Sequence, residues 1–458
     1  MAVRIAIIGG GPGGYEAALV GAELGAEVTL IDSAGVGGAC VLWDCVPSKT
    51  LCSTAEVVTY MRTAPRLGLT SETPKLNVNL HKVFERILWL ASAQSRDIET
   101  KILEAGVRMV QGTARFIDPH TLLVAEGPAA GERIEADVVL IATGSSPNEL
   151  PSAPCDGVRI LNSRQVYDLD SVPESLIVVG SGATGAEFAH AFNRLGAGVT
   201  LVSSRDRMLP GEDADAADVL ESVFRRRGMT LLKQTRAHGA RAVDGGVEVD
   251  LGDGQALTGS HALFTVGQSP NSAALALGNA GVRVGARGEI PVDGVSRTNV
   301  SHIYAAGDVT GGVMLASTAA MQGRIAMWHT LGQAVTPLAR DEIAATVFTD
   351  PEIATVGISQ AEAAARGLHA EVVMLPFATN ARAKMSSLED GFVKIVAISG
   401  SGTVIGGTIV APHASDLILS VSVAVHVRLT VAQLAQAFSV YPSFGGSVQE
   451  AARLLMGR

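Results

Sequence analysis

The chain opens on a short run, Arg4-Ile5-Ala6-Ile7-Ile8, that is apolar after its first residue and stops at a glycine cluster, Gly9-Gly10-Gly11-Pro12-Gly13-Gly14. Alanine-rich helical spacing then continues through Leu24, and a second apolar run follows at 27–31. Strand, glycine turn, helix and strand in that order predict a βαβ unit. The pattern returns at 176–179, turns through Gly180-Ser181-Gly182-Ala183-Thr184-Gly185, and continues as a helix to Leu195 and a strand at 199–202. Between the copies, 78–105 has helical spacing and 138–142 reads as a buried strand ending in Thr143-Gly144-Ser145-Ser146-Pro147. A breaker-rich linker runs from Pro147 to Pro154. A strand with a similar end, Leu263-Phe264-Thr265-Val266-Gly267-Gln268-Ser269-Pro270-Asn271, follows the second copy, and His302-Ile303-Tyr304-Ala305-Ala306-Gly307-Asp308 comes later. From about Arg340 the pattern changes to alternating strands, 392–396 and 404–410, and then to helices at 414–426 and 431–438, which predicts a third, α+β domain.

Composition narrows the class. With 458 residues, 47% of them hydrophobic, the chain can bury several cores. Charged residues are only 17% and the net charge is -10, so there is no basic stripe for a phosphate backbone, and no nucleic-acid partner is expected. Four cysteines cannot frame a secreted disulfide scaffold, and the first residues run straight into a strand rather than a signal segment, so a reducing, cytoplasmic location is expected. The longest C-terminal apolar stretch is broken by His413, Asp416 and His426, and no membrane span is expected.

The glycine turns carry the first chemistry. In Gly9-x-Gly11-x-x-Gly14 the first glycine permits the turn, the second lets backbone approach a pyrophosphate, and the third lets helix pack on strand. The helix N-terminus then faces the phosphates. Asp32, at the end of the second strand, is placed to hold a ribose hydroxyl. Gly180, Gly182 and Gly185 repeat the glycines, but Ser203-Ser204-Arg205 stand where an acid would select NADH. Hydroxyls and a guanidinium suit a 2′-phosphate, so NADPH is expected to be used in preference to NADH.

Cys40 and Cys45 follow in Gly37-Gly38-Ala39-Cys40-Val41-Leu42-Trp43-Asp44-Cys45-Val46-Pro47-Ser48-Lys49. On a regular helix their Cα atoms would lie roughly 8.6 Å apart, beyond the usual reach of a disulfide. The spacing thus means either two buried thiols or a redox pair on a distorted turn.

The Gly-Gly-x-Cys-x4-Cys-Val-Pro-Ser-Lys run, the two glycine turns and Ala305-Ala306-Gly307-Asp308 together resemble the class I flavoprotein pyridine nucleotide-disulfide oxidoreductases, the group of dihydrolipoamide dehydrogenase and glutathione reductase. The resemblance covers essentially the whole chain, because Val347-Phe348-Thr349-Asp350-Pro351-Glu352-Ile353 is similar to the start of that family's dimerisation domain. It implies an α/β fold of two Rossmann-like domains plus a C-terminal α+β dimerisation domain. The divisions would be 1–148 and 269–338 for FAD, 149–268 for NAD(P)H and 339–458 for the homodimer interface. FAD would sit on Gly9, Gly11, Gly14 and Asp32, with Asp308 on the ribityl chain. Gly38, Thr143, Gly144, Gly267, Gly307, Leu315 and Ala316 complete the cofactor-binding positions. Lys49, paired with Glu187, would lie near flavin N5, Cys45 would face the flavin, and Cys40 would attack substrate.

One segment departs from the family. Where the resemblance calls for His-Pro-Thr-x-x-Glu, supplied by the partner subunit for proton transfer to sulfur, the chain has Tyr441-Pro442-Ser443-Phe444-Gly445-Gly446. A phenol with pKa about 10 matches neutral pH poorly beside imidazole near 6.5, and glycine orients nothing. His413 and His426 are expected to serve packing, Cys52 to be a small buried residue and Cys155 a loop thiol. Quinones can take electrons without an acid to release a thiolate, so the expectation is an FAD-dependent NAD(P)H dehydrogenase acting on quinones or similar small acceptors. The alternatives are a true disulfide reductase and, from another class, a flavin-loaded redox sensor.

Overall fold

The computed structural model describes residues 2–69 and 77–457. The first apolar run forms β1 (Arg4–Ile8), followed by α1 (Pro12–Glu23), β2 (Glu27–Asp32), α2 (Gly38–Leu42) and α3 (Cys45–Thr63). β1 lies between two parallel neighbours, with Ile8 opposite Ile31 on β2 and opposite Ile141 on the strand Val138–Ile141. Strands Ile303–Ala305 and Arg108–Gln111 complete a five-stranded parallel sheet. Successive side chains of β1 point to opposite faces: Ile5 and Ile7 enter one buried cluster, Ala6 and Ile8 another. Apolar residues are therefore needed at every position, which is why the run shows no alternation. On one face α1 crosses the helix Ala316–Thr330 so closely that a Cβ on Gly323 would lie 2.1 Å from Gly13 O.

The chain divides into two compact units. One comprises residues 1–50, 82–148 and 266–339, and the other 51–81, 149–265 and 340–458. The second unit repeats the architecture of the first. Ser175–Val179 lies centrally in a five-stranded parallel sheet between Gly198–Val202 and His261–Phe264, with Thr230–Leu232 and Ile160–Asn162 at the edges. The helix Ala183–Leu195 follows its glycine turn. The C-terminal part adds a five-stranded antiparallel sheet, in the order Ala344–Val347, Glu352–Gly357, Val404–Ala411, Phe392–Ile398, Ala370–Pro376. Helix Ala414–His426 covers it. Within this unit the buried Lys394 ammonium meets Asp213 at 2.7 Å and also Asp215, so a charge in the sheet is paired at the start of the helix Ala214–Arg226.

Each unit also has a three-stranded antiparallel meander that the sequence pattern does not single out, the strands Thr113–Asp118, Thr121–Glu126 and Arg133–Glu135 in the first and Gly239–Val243, Gly246–Gly252 and Gln255–Gly259 in the second. The last helical expectation, 431–438, ends early: the helix is Val431–Ala435. Gln449 Nε2 donates to the carbonyl of Ala435 at 3.0 Å, taking the place of a further turn, and Phe438 is fully exposed.

The two similar strand ends meet inside the first unit. Ser145–Pro147 pairs antiparallel with Gln268–Pro270, and the bonds around this ribbon are reciprocal. Asn148 N–H donates to Gly267 O and Asn271 N–H to Gly144 O, both at 3.0 Å. Ser146 Oγ donates to Asn271 Oδ1 at 2.9 Å, and Ser269 Oγ to Asn148 Oδ1 at 2.5 Å.

Candidate functional site

The glycine turns show what each position is for. A Cβ on Gly9, which has φ +103°, would lie 2.3 Å from Ala142 O, and one on Gly14 would lie 1.8 Å from Gly9 O. In the second turn, Gly180 (φ +113°) and Gly185 are excluded in the same way, at 2.4 Å from Thr265 O and 1.9 Å from Gly180 O. The middle glycines differ: a Cβ on Gly11 or Gly182 would meet nothing within 4 Å. The chain's own packing does not demand them, so the space in front of them is free for an external group. Gly11 and Gly182 also begin their helices without any side-chain cap; in α1 Pro12 has no N–H and Gly14 N–H is spent on Gly11 O at 2.9 Å, so the amide left there for an anion is that of Gly13. Open space, free amides and a positive helix end suit the pyrophosphate of a dinucleotide at both turns.

The residues at the second strand ends are more committed than sequence reasoning supposes. Asp32 Oδ2 accepts from Gly10 N–H at 2.6 Å, and Oδ1 accepts from Ala34 and Gly35 N–H at 2.8 and 2.6 Å. It locks the turn, and Oδ2, which accepts one bond among the described residues, keeps a lone pair for a ribose hydroxyl. Ser203 departs from the phosphate role expected of it. It is buried at 1% exposure, with its Oγ 2.7 Å from Ser181 Oγ and accepting from Arg205 N–H at 3.1 Å. Ser204 and Arg205 remain exposed, and among the described residues the Arg205 guanidinium makes no hydrogen bond or ion pair.

In the first unit, Asp308 begins a short turn after Gly307 (φ +79°), whose N–H is held by Gln322 Oε1 at 2.8 Å. Asp308 Oδ2 accepts from Ser145 Oγ at 2.7 Å, and burial raises its carboxyl above the usual range. Leu315 caps the helix that starts at Ala316, again without a side-chain bond. Thr143 Oγ1 donates to Asn271 O at 2.7 Å, and Gly144 has φ +66° with open space around it. Gly38 has φ +55°, and a Cβ there would lie 2.7 Å from Gly11 Cα. Ser145, Gln322 and Asn271 were not foreseen: they act on neighbours, and no motif spacing marks them.

Cys40 and Cys45 do not share a helix. Cys40 lies within α2, Cys45 opens α3, and the break falls at Trp43-Asp44, whose amides both turn back to Ala39 O at 2.9 and 2.8 Å. A bridge between the two sulfurs would require such a break in the helix. Neither residue is in a disulfide, and a hydrogen bond involving Cys45, burial and the charge of Asp44 push the Cys40 thiol up, with Lys49 opposing. Lys49 lies one turn into α3 in the first unit; Glu187, 3% exposed, belongs to the second, where its Oε1 accepts from Phe348 N–H at 3.0 Å. Among the described residues no cluster of three or more His, Cys, Asp or Glu could hold a metal ion.

The departing C-terminal segment is orderly but offers no imidazole. Tyr441 is 86% exposed. Gly446 opens the helix Gly446–Leu455 with its N–H on Ser443 Oγ at 3.1 Å, and Asn380 Nδ2 ties Ser443 O and Ser447 Oγ at 3.0 and 2.8 Å. The two histidines expected to serve packing are instead exposed, each beside an acid of the same unit. His426 Nδ1 lies 2.7 Å from Glu342 and His413 Nε2 lies 3.8 Å from Glu56. Cys52 is buried with its sulfur 4.0 Å from Glu187 O, and the Cys155 thiol is pushed up to about 11 by burial and the charges of Glu149 and Asp156.

Comparison with known proteins fits these features. Residues 3–323 match the model of the pyridine nucleotide-disulphide oxidoreductase family, and residues 343–452 match its dimerisation domain. The chain is 50% identical to NAD(P)H dehydrogenase (quinone) of Mycobacterium tuberculosis, covering 100% of this chain and 94% of the relative. It is 35% identical to dihydrolipoyl dehydrogenase 2 of Haloarcula marismortui, covering 99% and 97%. The crystal structure of LpdA from Mycobacterium tuberculosis superposes with a TM-score of 0.96 over 99% of this chain and 100% of that one, at 50% identity. No helix among the described residues is long and apolar enough to cross a membrane. With both family models matched in order over most of its length, this chain belongs to the pyridine nucleotide-disulphide oxidoreductases, flavoproteins that use FAD and NAD(P)H.

Proposed function

We propose that this enzyme oxidises NAD(P)H and passes the electrons to quinones or similar small acceptors, working as a homodimer in the cytoplasm. The observation that carries the acceptor class is the segment around Tyr441, where an exposed phenol and Gly446 replace an imidazole and its orienting carboxylate. The glycine turns, Cys40, Cys45, Lys49, Glu187 and Asp308 stand where the family resemblance calls for them. The relative at 50% identity is itself named NAD(P)H dehydrogenase (quinone), which supports the same reading.

In this reading residues 1–148 and 269–338 bind FAD, 149–268 bind NAD(P)H and 339–458 form the dimer interface. FAD, when bound, accepts the hydride of NAD(P)H and hands on its electrons. The amides behind Gly11 and Gly182 hold the two pyrophosphates, Asp308 accepts from a ribityl hydroxyl, and Lys49 supplies a cation where negative charge develops. Ser204 and Arg205 select the 2′-phosphate, while Ser203 holds the turn behind them. Cys45 and Cys40 form a redox pair on the acceptor side. A disulfide acceptor needs a proton delivered to its departing sulfur, and loss of a placed acid typically costs roughly 10²–10⁴ in rate; a quinone meets no such requirement at sulfur.

Anaerobic reduction by NADPH followed by mixing with a naphthoquinone, lipoamide or glutathione disulfide tests this. Rapid reoxidation by the quinone with slow turnover of both disulfides is expected. Disulfide turnover as fast as quinone turnover would overturn the reading.

A further inference from the structure

The beginnings of α1 and α2 are bound to each other in the first unit. Gly37 N–H donates to Gly10 O at 2.7 Å, and Gly38 backs onto Gly11 too closely to admit a Cβ. Tyr15 lies one turn into α1, its N–H on Gly11 O at 2.9 Å, and Cys40 lies in the first turn of α2. Their side chains therefore arise from adjoining helix starts, Tyr15 from that of α1 and Cys40 from that of α2. The Tyr15 ring packs against the buried cluster that contains Val36 and Val41, yet among the described residues its hydroxyl makes no hydrogen bond. The ring thus serves the fold, while its hydroxyl, on the helix start that adjoins that of Cys40, has no role in the fold or in the chemistry described so far.

We propose that Tyr15 donates a proton to an oxygen of the acceptor as it is reduced, so that the acid of this site comes from α1 rather than from the C-terminal segment. The inference rests on the quinone reading above. Burial, Glu16 and Cys40 all raise the phenol's ionisation, with Arg324 opposing, so Tyr15 stays protonated at neutral pH. Glu16 is itself tied to Arg324 at 2.8 Å.

The balance is simple. NAD(P)H gives up a hydride, two electrons and one hydrogen nucleus, whereas a quinone becomes a hydroquinone by taking two electrons and two protons. One proton must come from outside. The Tyr15 O–H bond breaks, an O–H bond forms on the acceptor oxygen, and the phenolate takes a proton back from water. Donor and product are both phenols, so the transfer is nearly level. Transfer from a phenol near 10 to the anion of a thiol near 8.5 is unfavourable by roughly thirty-fold. A phenolic acid at this place thus favours quinones over disulfides.

Tyr15→Phe deletes the hydroxyl and keeps the ring. Expected for the variant are unchanged flavin content, unchanged reduction by NADPH and unchanged turnover with ferricyanide, a one-electron acceptor that takes up no proton. Naphthoquinone turnover should fall about ten-fold or more, with a smaller solvent isotope effect than in the parent. Equal losses with quinone and ferricyanide would overturn the proposal by showing a structural role, and so would quinone turnover that does not change. A parent enzyme inactive on quinones would instead defeat the reading on which the proposal rests.

Discussion

Ser203 Oγ lies 2.7 Å from Ser181 Oγ, in the place where Asp32 Oδ2 of the first turn receives the Gly10 amide at 2.6 Å. The strand registers make the positions equivalent, since Ile8 opposes Ile31 and Val179 opposes Val202, one residue before Asp32 and Ser203. A neutral hydroxyl pair thus does in the second turn what a carboxylate does in the first. The negative charge that would repel a 2′-phosphate is gone, and the exposed Arg205 is next along the chain but one.

Arg205→Ala should accordingly raise the Michaelis constant for NADPH by about ten-fold or more, for a charge-assisted contact worth ~1.5–3 kcal/mol, and leave NADH nearly unchanged. Steady-state kinetics with both nucleotides checks this. Equal effects on the two would return Arg205 to the surface.

Asp308→Ala should weaken FAD binding by about ten-fold or more if its carboxylate accepts a hydroxyl of the cofactor. Burial raises this carboxyl, so the folded chain holds its proton more tightly than the unfolded one. Its contribution to apoprotein stability is therefore complete below the ordinary carboxylate range and is lost as pH rises through the raised value. Asp308→Asn should remove that pH dependence and still bind FAD more weakly. Flavin content after dialysis and the melting curve of the apoprotein separate the two effects.

Tyr441→His with Gly446→Glu should raise lipoamide turnover more than either change alone, because the ring needs an orienting carboxylate. The backbone allows it: a Cβ on Gly446 would meet Ser439 Oγ and Ser443 Oγ at 3.6 and 3.7 Å, ordinary contact distances. Quinone turnover should change little. Additive effects of the two single variants would mean that the new groups do not act together.

His190 sets an acid limit on the second unit. It is wholly buried, its ionisation pushed down to about 3, and Arg227 Nη1 lies 3.4 Å from its Nδ1. Between the ordinary value near 6.5 and about 3 the unfolded chain binds a proton that the folded one does not, so stability falls as pH is lowered through that window. The loss is at most ~1.4 kcal/mol per pH unit. Urea denaturation from pH 7 to pH 4 should show this slope in the parent and a shallower one in His190→Gln.

Much of the fold was legible because its central strands are covered on both faces and its glycines are fixed by sterics. β1 is predicted to the residue, and so is helix Ala414–His426. The meanders escaped notice because their strands are short and largely exposed on one side, as in Gln255–Gly259. At the site, the glycine turns could be read from spacing, whereas the spacing of Cys40 and Cys45 left two readings open and only the family resemblance chose between them. The inward turn of Ser203 could not, because a serine at a strand end looks the same whether its hydroxyl meets a ligand or Ser181. Tyr15 was hidden for a different reason: it directly follows Gly14, inside a motif whose glycines explain themselves.

The reciprocal ribbon of residues 143–148 and 266–271 has a consequence for how such a chain can grow. Whatever is threaded between Asn148 and Val266 leaves from and comes back to one fastened point, so its length and contents do not alter the path of the strands on either side. Segment 149–265 is in this sense a cassette on a closed buckle. Its loops can lengthen or its specificity be exchanged, while the sheet built on β1 keeps the same neighbours in the same order.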